Sequence, residues 1–176
     1  MIFGRSGSGK STFAHDLHKT TGLLLHHLDK YFFIRNWVER DRQEFLDIQQ
    51  SIVDTNSWII DGNSIKSLEM RYRRADLVLY LNFPRWLCYI RVFKRIFDKN
   101  IAINDRAEGC RDSASWKLLK YIWTFDQRVA KPITYLREKY PDVPFVKISN
   151  DRDFRDFKLS FLNSDFSNDY CEAKYE

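Results

Sequence analysis

The sequence predicts an α/β fold in which helices cover both faces of a parallel sheet. Short apolar runs alternate with segments whose apolar residues recur at helical spacing, and this is the pattern of successive βα units. A Gly-rich loop at residues 4–11 follows the first apolar residues and precedes a helical segment. A strand, a Gly-rich loop and a helix in that order are typical of phosphate-binding sites at the carboxyl edge of such a sheet.

The Gly-rich loop matches the pattern G-x-x-x-x-G-K-[ST] at every fixed position. Its glycines allow the backbone to approach a ligand closely, and successive N–H groups of such a loop form a nest for phosphate oxygens. Lys10 can reach the β- and γ-phosphates, and the hydroxyl of Ser11 can bind Mg²⁺. The motif therefore predicts a triphosphate site made by Gly4, Ser6, Gly7, Ser8, Gly9, Lys10, Ser11 and Thr12.

The strand before this loop is short, because only residues 1–3 precede Gly4. A parallel strand usually has about five or six residues, so we expect either a clipped first strand or a true start upstream of Met1. A helix follows the loop, since Phe13 and Leu17 share one face, and Gly22 is expected to end it.

The later elements are predicted from the same periodicities. Apolar runs predict strands at residues 23–28, 58–60, 77–81 and 143–148. Helical spacing predicts helices at residues 40–54, at 86–97, from 116 onward and at 154–161. We expect the helix that begins near Trp116 to break or restart at Pro132. In the helix at 86–97, the residues expected to face the core are Trp86, Ile90, Phe93 and Phe97.

Composition and charge limit the class of protein. The net charge of +5 is compatible with nucleic-acid binding. Basic residues around a polyanionic nucleotide explain it better, because the arginines are spread along the chain rather than gathered in one tract. We expect neither a membrane span nor a secretory signal. The three cysteines are too few and too widely spaced for a disulfide framework or a zinc site, and we therefore expect a reducing, cytoplasmic setting.

Three polar features follow predicted strands, namely the Gly-rich loop, Asp29 and Asp61. The carboxyl ends of parallel strands meet at one edge of a sheet, so we expect these features to lie together. His26 and His27 are adjacent in a strand, and their side chains therefore point to opposite faces. That geometry is poor for a shared metal, and we expect both histidines to be core or surface residues.

Several segments together resemble a known group of enzymes. The segments GRSGSGKST, LHHLDKYFF, WVERD, WIIDGN, LNFPRWLCYIRVFKR and AEGC resemble small P-loop kinases of the adenylate kinase-like group, and within it the DNA topology modulation proteins. The resemblance runs from about Phe3 to Ile148. It implies a sheet of about five parallel strands and transfer of the γ-phosphoryl group of ATP with Mg²⁺. It also implies one domain at residues 1–163, with an acceptor-binding insertion at about 30–57, a lid at about 99–113 and a polar tail at 164–176.

The resemblance assigns roles to two carboxylates. Asp61 would hold Mg²⁺ or its water shell together with Ser11, although an Asp-Gly pair is also a common turn. Asp29 would orient or deprotonate an acceptor hydroxyl, or aid the binding of Mg²⁺. A helix N-cap is the alternative for Asp29.

The resemblance also assigns roles to arginines. Arg91 would stack on adenine and Arg95 would touch phosphate, and a solvated basic face opposite the core stripe is the alternative. A lid would bring Arg106 or Arg128, with Arg111 nearby, to the γ-phosphate on closure. Ile103 stands where the subgroup pattern has a basic residue, and the identity of the catalytic arginine stays open between Arg106 and Arg128.

Acceptor binding is expected in the insertion. Trp37 and Arg40, with Arg42 beside them, suit a planar or anionic acceptor, although Trp37 could instead pack on the helix that carries Phe45. Arg74, with Arg71, could hold an acceptor phosphate or form a salt-bridged loop.

Three functions remain open on the sequence alone. The favoured one is a kinase that uses ATP and Mg²⁺ to phosphorylate a small molecule, of nucleotide or nucleoside-like class, as a monomer or homodimer. A nucleotide-dependent DNA-binding regulator and an ATPase are the alternatives. The sequence has no clear N-K-x-D motif, which disfavours a GTPase.

Overall fold

The computed structural model describes residues 1–97, 107–110 and 115–163. Five parallel strands form one sheet in the order β2-β3-β1-β4-β5. The strands are β1 (Ile2–Gly4), β2 (Leu25–His27), β3 (Ile59–Asp61), β4 (Val78–Leu81) and β5 (Phe145–Ile148). The helices are α1 (Lys10–Thr21), α2 (Leu28–Phe32), α3 (Arg42–Val53), α4 (Leu68–Tyr72), α5 (Arg85–Phe97), α6 (Trp116–Lys139) and α7 (Asp151–Asn163), with a 3-10 turn at Ile65–Ser67. The predicted fold class is confirmed.

The central strand β1 sets the position of the Gly-rich loop. It is only three residues long and fully buried, and it pairs with β3 on one side and β4 on the other. Gly4 at its end is level with Leu81, the last residue of β4. On the other side, the last residue of β2, His27, is level with Asp61, the last residue of β3. Four strands therefore end at the same edge, where the loop begins.

The two faces of the sheet carry separate core clusters. Ile2 and Leu79 face a cluster to which α1, α5 and α7 contribute, whereas Phe3 and Tyr80 face a cluster built with α4 and α6. This division follows from strand geometry, because successive side chains point to opposite faces. Helices thus cover both faces, as the alternating sequence pattern predicts. Among the described residues, no helix has the length and apolar character needed to span a membrane.

The expected core stripe of α5 is wrong. The four residues assigned to it are exposed, at 63%, 45%, 41% and 81% for Trp86, Ile90, Phe93 and Phe97. The buried residues of this helix are Cys88 and Val92. The helix has two apolar stripes, and helical spacing alone does not say which of them faces the sheet. The face of α5 that packs on the sheet therefore includes positions that the sequence analysis did not assign to the core.

The expected break at Pro132 is also wrong. Helix α6 runs through this residue without interruption, from Trp116 to Lys139. Proline lacks an N–H group, so the carbonyl of Arg128 loses its usual donor. Val129 and Leu136, on either side of the proline, are buried in the same core cluster. Packing on the sheet holds both halves of the helix in line and outweighs the local preference.

Replacing Pro132 with alanine is expected to raise the free energy of unfolding by about 1–3 kcal/mol, because alanine restores one helical hydrogen bond and removes the clash of the ring with the preceding turn. Urea unfolding followed by circular dichroism measures this change. Lys131→Ala, at the neighbouring exposed position, is the control and should alter stability by less than about 0.5 kcal/mol. A Pro132→Ala protein no more stable than the parent would contradict the prediction.

Candidate active site

The Gly-rich loop leaves β1 and turns directly into α1. Gly7 has a φ of +81°, and a Cβ there would lie 2.4 Å from the carbonyl oxygen of Cys88. Only glycine fits such a position. Gly9 is the N-cap of α1, and no side chain of residues 1–97, 107–110 or 115–163 caps this helix end, which leaves its first N–H groups for an anion. Ser6, Gly7, Lys10 and Ser11 are half-buried, Ser8 is buried and Thr12 is exposed.

Arg5 anchors the loop, a role that the sequence analysis missed. Its side chain is 2% exposed and donates hydrogen bonds to the carbonyl of Phe83 and to the carboxylate of Asp126. Arg85 binds the other oxygen of Asp126 at 3.3 Å. The loop is thereby tied to the end of β4 and to α6. Arg5 occupies a variable position of the motif, so its identity carries no signal in the sequence.

Asp61 receives hydrogen bonds from two elements. The hydroxyl of Ser11 donates to Asp61 Oδ2 at 2.8 Å, and the Nδ1 of His27 lies 3.0 Å from the same oxygen. The other carboxylate oxygen, Oδ1, is buried and has no hydrogen-bond partner among the described residues. Ser11 and Asp61, assigned together to Mg²⁺ from the sequence, are therefore neighbours. His27 was not expected to take part.

The chemistry of this pair fits a hard cation. A buried carboxylate oxygen without a partner costs free energy, and Mg²⁺ prefers oxygen ligands. In sites of phosphoryl transfer, Mg²⁺ usually takes only one or two protein carboxylates and completes its shell with water and phosphate oxygens. Asp61 Oδ1 and the Ser11 hydroxyl can supply such a partial shell.

The side chain of Lys10 folds back over the Gly-rich loop. Its Nζ donates to the carbonyl oxygen of Arg5, within the same loop, at 3.2 Å. The charged end of the side chain is therefore held over the turn of the loop, where a phosphate chain would lie in a site of this type.

Asp29 lies beside a polar group from α6. It is exposed at the start of α2, and its charge acts on Tyr121. Burial, and then the charge of Asp29, raise the pKa of Tyr121 to about 12, against an opposing hydrogen bond with the side chain of Asn63. The phenol is thus protonated at neutral pH. Asn63 also accepts a hydrogen bond from the N–H of Gly4 at 2.9 Å, which connects this group to the loop.

Arg91 lies against the loop from the side of α5. Its guanidinium stacks 4.7 Å from the ring centre of Phe83 and donates to the carbonyl of Ser8 at 3.4 Å. A second nitrogen binds Asp151, at the start of α7, at 2.7 Å. Arg95, one turn later, is half-buried. The alternative of a solvated basic face opposite a core stripe is therefore wrong, since that stripe is the exposed one.

Of the arginines considered for the lid, Arg128 lies in the described part of the chain. It is exposed on α6, and its guanidinium is 5.5 Å from the ring centre of Tyr121. Its Nε donates to Thr124 on the same helix at 3.1 Å. Because Tyr121 is next to Asp29, Arg128 belongs to the same cluster as two of the predicted groups. Arg106 and Arg111, as well as Ile103, lie outside the described residues.

Trp37 lies where the predicted acceptor-binding insertion meets the predicted lid. Its φ of +62° is unusual for a residue other than glycine, and its N–H donates to the Sγ of Cys110 at 3.1 Å. The preceding Asn36 donates to the carbonyl of Glu108 at 3.0 Å. The described part of the predicted lid, residues 107–110, thus contacts the predicted insertion. The ring of Trp37 packs on Phe33 at 4.9 Å rather than on Phe45.

The remaining two predicted substrate residues are less favourably placed. Arg40 donates to the carbonyl of Tyr31 at 2.7 Å and pairs with Glu44, so its guanidinium is engaged within the insertion. Arg74 is exposed and precedes the start of β4. It therefore lies at the amino-terminal edge of the sheet, opposite the loop. The structure brings the loop, Asp29, Asp61, Arg91 and Arg128 to one edge, but does not bring Arg74 there.

No family model matches the chain, and no curated protein matches it. Among solved structures, the chain is similar to an unliganded sugar kinase from Janibacter sp. HTCC2649, with a TM-score of 0.52 and 18% identity over 92% of this chain and 93% of that chain. It is also similar to deoxyadenosine kinase from M. mycoides with bound dCTP, with a TM-score of 0.41 and 16% identity over 92% of this chain and 97% of that chain. The likeness to the sugar kinase is a likeness of fold.

Proposed function

We propose that the protein is a phosphotransferase that moves the γ-phosphoryl group of Mg-ATP to a small-molecule acceptor of nucleotide or nucleoside-like class. The observation that carries the proposal is the 2.8 Å hydrogen bond from Ser11 to Asp61. This hydrogen bond joins the end of a complete Gly-rich loop to the carboxylate at the end of β3. One oxygen of that carboxylate, Oδ1, has no hydrogen-bond partner among the described residues. Phosphoryl transfer needs positioning and neutralisation of charge rather than covalent chemistry from the protein, and a cation held by this pair would supply both.

The donor half of the site is made by the loop and α5. The N–H groups at the start of α1 and the ammonium of Lys10 hold the phosphate chain. Ser11 and Asp61 would hold Mg²⁺, which neutralises charge on the phosphates when bound. Arg91 lies between the loop and the start of α7, a position suited to the base of the nucleotide. Arg95 is one turn farther along the same helix and is proposed to reach phosphate.

The acceptor half is proposed around Asp29. Its carboxylate is exposed and can accept the proton of an acceptor hydroxyl, or hold that hydroxyl in line for attack. Tyr121, which stays protonated, and Asn63 can donate hydrogen bonds to the same molecule. Arg128 adds a positive charge over the Tyr121 ring. A planar acceptor with a hydroxyl or phosphate suits this combination of an aromatic ring, a carboxylate and a guanidinium.

A coupled assay of ADP release, run with a panel of nucleoside monophosphates, nucleosides and sugars, tests the proposal. We expect at least one acceptor to stimulate turnover, and Lys10→Ala to abolish that turnover, because the variant loses the charge that holds the β- and γ-phosphates. No acceptor giving a rate above the Lys10→Ala control would overturn the proposal. A rate independent of any acceptor would favour the ATPase alternative instead.

The described basic residues favour a nucleotide over nucleic acid as the anionic ligand. Many of them are already paired with carboxylates, which reduces the positive charge available to a phosphate backbone. The pairs are Arg35–Glu108, Arg85–Asp126, Arg91–Asp151, Lys139–Glu69 and Lys158–Asp16. Retention of duplex DNA that weakens steeply with salt would support the regulatory alternative.

A further inference from the structure

His27 occupies a position beside the proposed metal site. It is the last residue of β2 and is level with Asp61 in the parallel register of β2 and β3. Both residues are buried, at 7% and 4% exposure. The Nδ1 of His27 lies 3.0 Å from Asp61 Oδ2. The neighbouring His26 points to the other side of the strand, where its Nδ1 lies 2.9 Å from the hydroxyl of Tyr31.

The hydrogen bonds fix how the carboxylate is turned. A carboxylate only accepts hydrogen bonds, so the Nδ1 of His27 carries the proton in this contact. The hydroxyl of Ser11 donates to the same oxygen, Oδ2, at 2.8 Å. Two donors on one oxygen hold the Asp61 side chain from both sides. The second oxygen, Oδ1, is buried, and no group in the described part of the chain forms a hydrogen bond with it.

We propose that His27 is a positioning residue for the divalent cation that accompanies the nucleotide. By holding Oδ2 of Asp61, it keeps Oδ1 turned to receive the cation or a water molecule bound to it. The Ser11 hydroxyl would offer the cation an oxygen lone pair, while its O–H and the Nδ1 of His27 hold Oδ2 of Asp61. Such supporting hydrogen bonds typically change metal affinity by roughly 10–100-fold. This role rests on the proposed function.

Variants that move the hydrogen-bond donor of residue 27 away from Asp61 test this role directly. In His27→Asn, the side-chain amide can place an N–H near the position of Nδ1, whereas in His27→Gln the amide reaches the position of Nε2 instead. Both variants keep a polar side chain at the end of β2. His26→Gln is the matched control, because His26 contacts Tyr31 rather than Asp61. Thermal unfolding without nucleotide confirms that each variant is folded.

The measurement is the affinity of a fluorescent ADP analogue, titrated with MgCl₂ and repeated in EDTA. Mg²⁺ is expected to raise the affinity for the ADP analogue, and the Mg²⁺ concentration that gives half of this increase should be about 10-fold higher for His27→Gln than for the parent. The affinity of His27→Gln for the analogue in EDTA should equal that of the parent. His27→Asn and His26→Gln should behave like the parent. The readout needs neither turnover nor a known acceptor.

Two results would overturn the role of His27. One is a parental Mg²⁺ requirement in His27→Gln, and the other is an equal loss of affinity with and without Mg²⁺, which would indicate a structural effect alone. If the proposed function is wrong, a different result is expected: the parent protein itself binds the ADP analogue with an affinity that does not change with Mg²⁺. That result would remove the metal site and the role of His27 together.

Discussion

An Asp29→Asn variant is expected to lose about 10²–10⁴-fold in kcat, the usual contribution of a positioned general base, while its KM for ATP stays close to that of the parent. Asparagine has the same size as aspartate but cannot accept a proton from an acceptor hydroxyl. Asp29 is exposed beside the Tyr121–Asn63 group, whereas in the proposed function the loop holds the phosphates of ATP. Initial rates at saturating and limiting ATP, with the acceptor found in the panel, separate the two parameters.

The structure offers a control for this substitution. Asp41 is the N-cap of α3 and accepts hydrogen bonds from the N–H groups of Gln43 and Glu44. Asparagine caps helices about as well as aspartate, so Asp41→Asn should leave both kcat and stability near the parental values. If Asp29→Asn kept full kcat, the assignment of Asp29 to the acceptor half would be wrong. A matching rise in the KM for ATP would instead place Asp29 with the donor nucleotide.

The sequence was sufficient to predict the strands and helices wherever its pattern of apolar residues was compatible with one structure only. Parallel strands buried on both faces read as apolar runs, and the predicted strands match those observed to within two residues at either end. It failed at α5, where two apolar stripes compete, and at Pro132. In both cases the deciding term is packing against distant parts of the chain, such as the cluster that contains Val129 and Leu136. A local pattern does not contain that information.

The candidate site also contains residues that the sequence could place and residues that it could not. The Gly-rich loop is contiguous in sequence, so its motif was sufficient to place it. The contact between His27 and Asp61 depends on the register of two strands 34 residues apart in the chain, and single-sequence periodicity does not determine register. Arg5 and Tyr121 act through partners on α6 and after β3. Their roles become visible only when those elements are packed together.

Arg71 is expected to matter more for stability than any other buried charge near the site. Its side chain is fully buried, and it donates to the carbonyls of Gly62 and Ser64 at 3.1 and 2.6 Å. Burial lowers its pKa to about 9, while the charge of Asp61 acts in the opposite direction. The guanidinium therefore stays charged at neutral pH. It holds the turn after β3, and this turn carries Asn63.

Replacing Arg71 with methionine is expected to lower the free energy of unfolding by about 3–5 kcal/mol, the usual cost of breaking a buried charged network. Methionine fills much of the same volume but removes the donor to the buried carbonyl of Gly62, a loss that costs about 1–3 kcal/mol. It also removes one donor to the carbonyl of Ser64, which still accepts from Ser67 at 3.3 Å. Arg73→Met, two residues away and exposed, removes the same charge and should change stability by less than about 0.5 kcal/mol. Urea unfolding of both variants compares the two positions directly. Equal stability of the Arg71 and Arg73 variants would mean that water or neighbouring groups satisfy the turn without the guanidinium, and that the turn does not depend on this charge to hold Asn63 beside the loop.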